Sequence, residues 1–225
     1  MPTILMLHGA RQLPEVWRSV SDSFPQTWGV VAPQLHGRTD LGAMNQASVH
    51  DLGQVLVQPP IFVVATEEGA IPALEFCARN VDTGDIAGLL LSDPQLAVTS
   101  GAVRSAKMAA RLHGDRAAPR SADGKFTNAR YAQRAGYLQA LAGISLSDQI
   151  RAVSAAGLPV RILAAENNRR AIASARTAHA ALEQAEFFTI AQAQADWNAY
   201  APAHFAANVM EFVALHIQGG GDSAS

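Results

Sequence analysis

The sequence predicts an α/β protein whose mostly parallel β-sheet is flanked by helices. Short, unbroken apolar runs are typical of parallel strands that are covered on both faces. Six such runs occur, at residues 4–7, 30–32, 61–64, 86–91, 159–164 and 187–190. Segments with helical spacing of apolar residues separate most of them. Because such strands alternate with helices, functional groups are expected at the carboxyl ends of the strands.

The first half of the chain alternates runs and helices in a regular order. Pro14 opens the first predicted helix, because proline suits a first helical turn. A second helix is predicted over residues 46–57, where the double proline that follows ends it. A third helix, over residues 68–79, follows the third apolar run almost directly. Only a tight turn can join that run to its helix.

The second half contains one long interval without strand pattern, residues 95–150. Two helices are predicted there, over residues 103–112 and 128–141, and a further helix over residues 169–184. Ala203 opens the last predicted helix, and residues 219–225 are expected to be a disordered tail.

Length and charge limit the classes of function. A chain of 225 residues fits one domain, and its net charge of −2 argues against nucleic acid or an anionic membrane as the main partner. No stretch approaches the about 20 apolar residues of a membrane span, and no secretory leader is visible. We expect a cytoplasmic protein with a small-molecule substrate. A homodimer is compatible with the sequence, which does not fix the number of subunits.

The turn after the third run displays one side chain. A sharp strand-to-helix turn needs small residues two positions before and after its apex, because backbone approaches backbone there. Ala65 and Gly69 meet this need only if the apex is Glu67. Glu67 is therefore the predicted reactive residue.

This turn resembles the nucleophile elbow of the α/β-hydrolase superfamily, G-x-S-x-G, with Ala65 for the first Gly and Glu67 for the Ser. The order of the runs and the His-Gly step after the first run resemble the same superfamily, over residues 2–217. The resemblance implies an α/β-hydrolase fold, with residues 1–94 and 151–218 as the core. Residues 95–150 would then form a small helical cap over the active site.

The resemblance also assigns roles around Glu67. Backbone N–H groups of Ala10 and Glu68 would form an oxyanion hole, and His204 matches the catalytic His that follows the last strand. His8 is expected to stabilise its loop. Arg11 could face Glu67, although a solvated surface position is favoured for it.

The acid that would support His204 is left open by the sequence. Counting along the family pattern puts the acid position at Asn168, which carries no charge. Asp93, at the end of the fourth run, is a substitute, although a turn-forming role is equally expected of it, and Glu166 is a further candidate. Trp197 could line the pocket, and core packing is at least as well supported for it.

A glutamate apex changes the expected chemistry. A carboxylate attacks ordinary esters poorly, but it can move a proton without difficulty. We therefore expect an enzyme, needing no cofactor or metal, that uses Glu67 and His204 for acid–base chemistry on a largely apolar carbonyl compound. A cyclase, lyase or isomerase of secondary metabolism would fit. Two alternatives stay open: a hydrolase of an epoxide, alkyl halide or ester with Glu67 as nucleophile, and an inactive ligand-binding protein.

Overall fold

The computed structural model describes residues 1–37, 58–116 and 129–217. The predicted helix at residues 46–57 and the predicted tail at residues 219–225 lie outside the described residues. Within the described ranges, six parallel strands form one sheet in the order β2-β1-β3-β4-β5-β6. The strands are β1 (Thr3–Leu7), β2 (Gly29–Val31), β3 (Ile61–Thr66), β4 (Ile86–Ser92), β5 (Val160–Ala165) and β6 (Glu186–Ile190).

All six predicted strands are confirmed, each within two residues of its predicted bounds. The inner strands β1, β3 and β5 are buried along their whole length. The edge strand β6 exposes most of its residues. This difference follows from position, because a central strand is covered on both faces and an edge strand is not.

Helices cover both faces of the sheet. They are α1 (Arg18–Ser21), α2 (Ala70–Asn80), α3 (Ser100–His113), α4 (Tyr131–Leu141), α5 (Ser147–Ala155), α6 (Arg169–Ala181), α7 (Trp197–Tyr200) and α8 (Pro202–His216). Alternate strand residues enter two separate apolar clusters: Leu5 and Val63 pack on the α2 side, whereas Ile4 and Phe62 pack on the α8 side. No helix in these ranges is both long and apolar enough to cross a bilayer.

Three helices differ from the prediction. The first begins at Pro14 as a 3₁₀ turn and ends at Ser21, although Phe24 still packs into the core. The helix predicted to reach residue 184 ends at Ala181, where Leu182 leaves helical geometry and buries its side chain. The sequence reading missed α5, which packs against α2 and contains residue 150, the predicted end of the cap.

The strand order places one reversal next to the predicted elbow. The chain leaves β1 for β2 and then returns to the other side of β1 to form β3. The carboxyl ends of β1 and β3 therefore lie side by side at the topological switch point, where open α/β sheets bind ligands. Residues 8–11 follow β1 and Glu67 follows β3, so the fold brings these two segments together.

Candidate active site

Glu67 occupies the apex of a strained turn between β3 and α2. Its φ of 49° is rare for a residue with a side chain, and a 3₁₀ turn over Glu67–Gly69 leads into α2. A Cβ at Gly69 would lie 2.6 Å from the Leu7 carbonyl oxygen, so this position accepts no side chain without movement of the backbone. The predicted sharp turn, with its small residue two positions after the apex, is present.

The Glu67 carboxylate lies against residues 8–11. Oε2 packs on Gly9, where a Cβ would approach it to 2.7 Å, and Oε1 accepts a hydrogen bond from Arg11 Nη2 at 3.1 Å. Arg11 was favoured as a solvated surface residue, and that prediction is wrong: the guanidinium faces Glu67 while 42 % of the side chain stays exposed. The reason is that Glu67 packs tightly on Gly9, which keeps the loop that carries Arg11 close to the apex.

Burial, followed by the charge of Glu68, raises the pKa of Glu67 to about 8 against the opposing effect of Arg11. Desolvation is the largest cause, since only 16 % of the Glu67 side chain is exposed. The carboxyl group is thus predominantly neutral at pH 7 and exchanges its proton close to neutrality.

Asp196, in the loop after β6, is connected to Glu67 through Arg11. Asp196 has a φ of 60°, and its Oδ2 accepts a hydrogen bond from Arg11 Nη2 at 3.2 Å, so Arg11 bridges Asp196 and Glu67. Its Oδ1 accepts a second hydrogen bond from Gln12 Nε2 at 3.0 Å. The loop after β6 thus contributes the Asp196 carboxylate to this cluster, where the imidazole of His204 was expected.

The predicted pairing of His204 with Glu67 is wrong. His204 is exposed on the first turn of α8, and its ring contacts Trp197 at a centroid distance of 5.6 Å. No hydrogen bond joins it to Glu67 among the residues that the structure describes. The chain reverses at Asp196 and forms α7 before α8 begins. His204 therefore lies beyond α7, away from the apex.

Gln12 organises a buried polar network behind the site. Its side chain is 1 % exposed, and its Oε1 accepts a hydrogen bond from Thr66 Oγ1 at 3.1 Å. Its Nε2 donates to Asn198 Oδ1 at 3.1 Å as well as to Asp196. This network ties the end of β3 to the loops that follow β1 and β6, and it fixes the position of the Asp196 carboxylate.

Of the three candidate acids, only Asp93 lies near this cluster. Its Oδ1 accepts a hydrogen bond from the Ala165 N–H at 2.8 Å, and burial followed by the charge of Asp196 raises the pKa of Asp93 to about 6. The Asn168 side chain instead caps α6, and exposed Glu166 accepts a hydrogen bond from the Gln192 N–H at 2.9 Å. The neighbour of Asp93 is thus Asp196 and not His204.

Trp197 packs in the core. It is 2 % exposed, its Nε1 donates to Ser92 Oγ at 2.9 Å, and its ring lies 4.7 Å from that of Phe205. The pocket-lining role is therefore corrected to a structural one, because α7 turns this side chain toward α8.

The predicted oxyanion hole has its first donor occupied. The Ala10 N–H donates to Glu68 Oε2 at 3.0 Å, so the carboxylate of the residue after the apex fills this position. Carboxylate oxygens are strong acceptors, which makes this a charge-assisted hydrogen bond. An open pair of backbone donors, as the resemblance implied, is not present in this arrangement.

Beneath residues 8–11 lies a neutral aromatic cluster. His8 stacks on His36 at 4.9 Å, and Tyr137 of α4 donates to the His8 carbonyl oxygen at 3.4 Å. Burial lowers the pKa of His8 to about 3, and its Nε2 accepts a hydrogen bond from the Leu35 N–H. The expected loop-stabilising role of His8 is confirmed. Burial, followed by the charges of Glu68 and Glu67, raises the pKa of Tyr137, so this phenol lies near both side chains.

Sequence reasoning missed Asp196, Gln12 and Tyr137. Asp196 carried a usable signal, since it is the polar residue between Ala195 and Trp197 in the loop after the last strand. Asp also tolerates the left-handed conformation that a sharp reversal requires. Gln12 and Tyr137 gave no signal in the sequence. The described part of the chain contains no group of three or more His, Cys, Asp or Glu side chains that could hold a metal ion.

Comparison with known proteins places this arrangement in a fold. No protein-family model and no curated protein matches the chain by sequence. A thermophilic esterase from Thermogutta terrifontis superposes with a TM-score of 0.69 at 17 % identity, over 96 % of this chain and 90 % of the esterase. The chain has the α/β-hydrolase fold.

Other α/β-hydrolase structures are similarly related. A carboxylesterase structure from the thaumarchaeon Nitrososphaera gargenis gives a TM-score of 0.71 at 13 % identity, over 96 % of this chain and 91 % of that one. The thioesterase domain of the curacin biosynthetic pathway gives 0.62 at 14 % identity, over 93 % and 91 %. At such identities the likeness establishes the α/β-hydrolase fold and leaves the reaction to be argued from the site.

Proposed function

We propose that this chain is an enzyme that transfers protons on a small, largely apolar carbonyl compound, as a non-hydrolytic lyase, isomerase or cyclase does. Glu67 would be the general acid and base. The observation that carries the proposal is the Glu67 carboxyl itself: it stands at the elbow apex, largely buried, with a pKa raised to about 8. A group with a pKa near the operating pH is suited to both donating and accepting a proton.

Arg11 and Asp196 support this role. When Glu67 loses its proton, the Arg11 guanidinium 3.1 Å away stabilises the new negative charge. Asp196 holds the guanidinium from its other side at 3.2 Å, so Arg11 is oriented before the reaction begins. The ionised carboxylate would take a proton from the carbon next to the substrate carbonyl. The electron pair would move to the carbonyl oxygen, and Glu67 would return the proton to carbon.

We do not extend the proposal to a nucleophilic Glu67. A carboxyl group that is neutral at pH 7 is a weak nucleophile, and hydrolysis of its ester would need a base that activates water. His204, the base that the sequence suggested, is exposed at the start of α8.

Deuterium uptake tests the proposal without knowledge of the natural substrate. The chain is incubated in D₂O with cyclohexanone, phenylacetone or S-ethyl thioacetate, and deuterium next to the carbonyl is measured by mass spectrometry. We expect uptake above the solvent rate for a carbonyl compound that binds, and its loss in Glu67→Gln. Glu75→Gln is the matched control, because Glu75 is a second buried glutamate, on α2, bonded to Gln149 at 2.8 Å. Equal uptake by the wild type and Glu67→Gln would contradict the proposal.

A second candidate, a ligand-binding protein without turnover, is favoured by one observation. Both side chains of the elbow already have partners within the chain, Arg11 for Glu67 and the Ala10 N–H for Glu68. A carbonyl compound that raises the melting temperature of the wild type, yet shows no deuterium uptake, would support this candidate over the first.

A further inference from the structure

Two consecutive glutamates enter the site with different partners. Glu67 contacts Arg11, whereas half-buried Glu68 accepts a hydrogen bond from the Ala10 N–H at 3.0 Å. Ala10 is fully buried while Glu68 covers its N–H. A backbone N–H that loses its acceptor in such a place is unfavourable. A ligand that displaces Glu68 is therefore favoured if it offers Ala10 an acceptor of its own.

The position of this contact makes the acceptor relevant to ligands. Ala10 follows β1 at the topological switch point of the sheet, and its neighbour Gly9 packs against the Glu67 carboxylate. An oxygen atom bonded to the Ala10 N–H thus lies close to the apex. The Glu68 carboxylate now fills that position, and its two oxygens have the shape of a small carboxylate or a polarised carbonyl.

We propose that the Glu68 carboxylate is a built-in occupant of a ligand subsite at the Ala10 N–H, which a ligand enters by supplying an sp² oxygen of its own, from a carboxylate or a polarised carbonyl. The inference deepens the proposed function and rests on it in one respect, that the ligand oxygen lies within reach of Glu67. A ligand without such an oxygen gains no hydrogen bond at Ala10 and leaves Glu68 in its place.

Exchange of the occupant also couples binding to the proton on Glu67. The negative charge of Glu68 is one cause of the raised pKa of Glu67, second to burial. When a neutral carbonyl compound replaces Glu68, that charge moves away and Glu67 releases its proton more readily. Burial remains the largest cause of the raised pKa of Glu67, so Glu68 is one contributor to its protonated form.

The Ala10 amide resonance reads this subsite directly. In ¹⁵N-labelled full-length protein, the hydrogen bond to a carboxylate should shift the Ala10 amide proton downfield, and Glu68→Ala should remove that shift. Sodium butyrate, used as the carboxylate probe, should restore it. Because butyrate no longer competes with Glu68, we expect half-saturation at a concentration about ten- to hundredfold lower than in the wild type, which corresponds to a charge-assisted hydrogen bond of about 1.5–3 kcal/mol.

Glu166→Ala is the matched control. Glu166 also accepts a hydrogen bond from a backbone N–H, that of Gln192 at 2.9 Å, but it lies outside the site. Its removal should shift the Gln192 amide and leave Ala10 and butyrate binding unchanged. Glu68→Gln, which keeps the shape with a neutral acceptor, should give an intermediate butyrate affinity, and it serves if Glu68→Ala does not fold.

Two results would overturn the inference. One is an Ala10 resonance that is the same in the wild type and the Glu68 variants, since Glu68 would then not occupy the subsite. The other is butyrate binding at Ala10 that is equal in all variants or absent from them. Neither readout involves turnover. Deuterium uptake can therefore fail while this inference holds, and this inference can fail while deuterium uptake is observed.

Discussion

Arg11 and Arg161 each bridge two carboxylates, and the two clusters bury opposite charges. In the Arg161 cluster the cation is buried: its side chain is 3 % exposed, whereas Glu186 and Glu211 keep 47 % and 65 % of theirs exposed. The guanidinium also lies over two phenylalanine rings, at 5.0 and 5.4 Å. Its partners retain much of their hydration, so this cluster joins β5, β6 and α8 without burying an acid.

The Arg11 cluster reverses that arrangement. Its cation is 42 % exposed, whereas Glu67 and Asp196 are each only 16 % exposed. Burying Glu67 favours its protonated form, and the pKa of Glu67 rises to about 8. A buried arginine always keeps its charge, but a buried carboxyl group can give up or take a proton near neutral pH. The comparison therefore separates an ion cluster that holds the fold together from one suited to proton transfer.

The largest expected effect tests whether the Arg11 cluster occupies the positions of a hydrolytic site. Asp93 is close enough for the charge of Asp196 to raise its pKa, so an imidazole at position 196 would have an acid beside it. We expect the double substitution Glu67→Ser with Asp196→His to hydrolyse p-nitrophenyl acetate about 100-fold faster than either single variant. If the double variant is no faster than the singles, position 196 does not face position 67.

The second prediction compares the two cations by stability. Arg161→Met removes a buried guanidinium and its ring contacts, and we expect unfolding in urea to show a loss of about 2 kcal/mol. Arg11→Met removes a guanidinium that is 42 % exposed, and Glu67 can accept a proton instead, so the loss should stay below about 1 kcal/mol. An equal loss in both variants would remove the distinction between the clusters.

The third prediction concerns pH. The folded-state pKa of Glu67 is raised above its unfolded value of 4.5, so the folded chain binds more protons between pH 4.5 and about 8. Its contribution to stability is therefore present at low pH and is lost as the pH rises through that window, by up to about 1.4 kcal/mol per pH unit. Asp93 adds a change of the same sign between pH 3.8 and about 6.

The substitution Glu67→Gln should remove the Glu67 part of this change. Urea unfolding of the wild type and of Glu67→Gln at pH 5 and pH 8 measures it. The wild type should lose stability relative to the variant over this interval. A wild type whose stability changes in parallel with that of the variant would mean that Glu67 is already ionised at pH 5 in the folded chain.

The sheet and the elbow could be predicted from sequence, whereas the site could be predicted only in part. The strands and the elbow follow from apolar runs and from small residues around Glu67. Both are local features of the sequence, so they can be recognised without the structure. The sequence pointed to His204 because it follows the last strand at the start of the last helix. The chain reversal at Asp196, which local patterns do not predict, decides which side chain reaches the site. Glu68 bonds to the N–H of Ala10, 58 positions earlier in the chain, and no local sequence pattern predicts a contact at that separation.

The most direct test of the account is the titration of Glu67 in the folded protein. The infrared difference spectrum between the wild type and Glu67→Gln isolates the carbonyl band of the protonated Glu67 carboxyl, which is followed across pH. We expect this band to persist at pH 7 and to disappear near pH 8. Its disappearance near pH 4.5, the ordinary value for a glutamate, would show a permanently ionised partner of Arg11 and would contradict proton transfer by Glu67 near neutral pH.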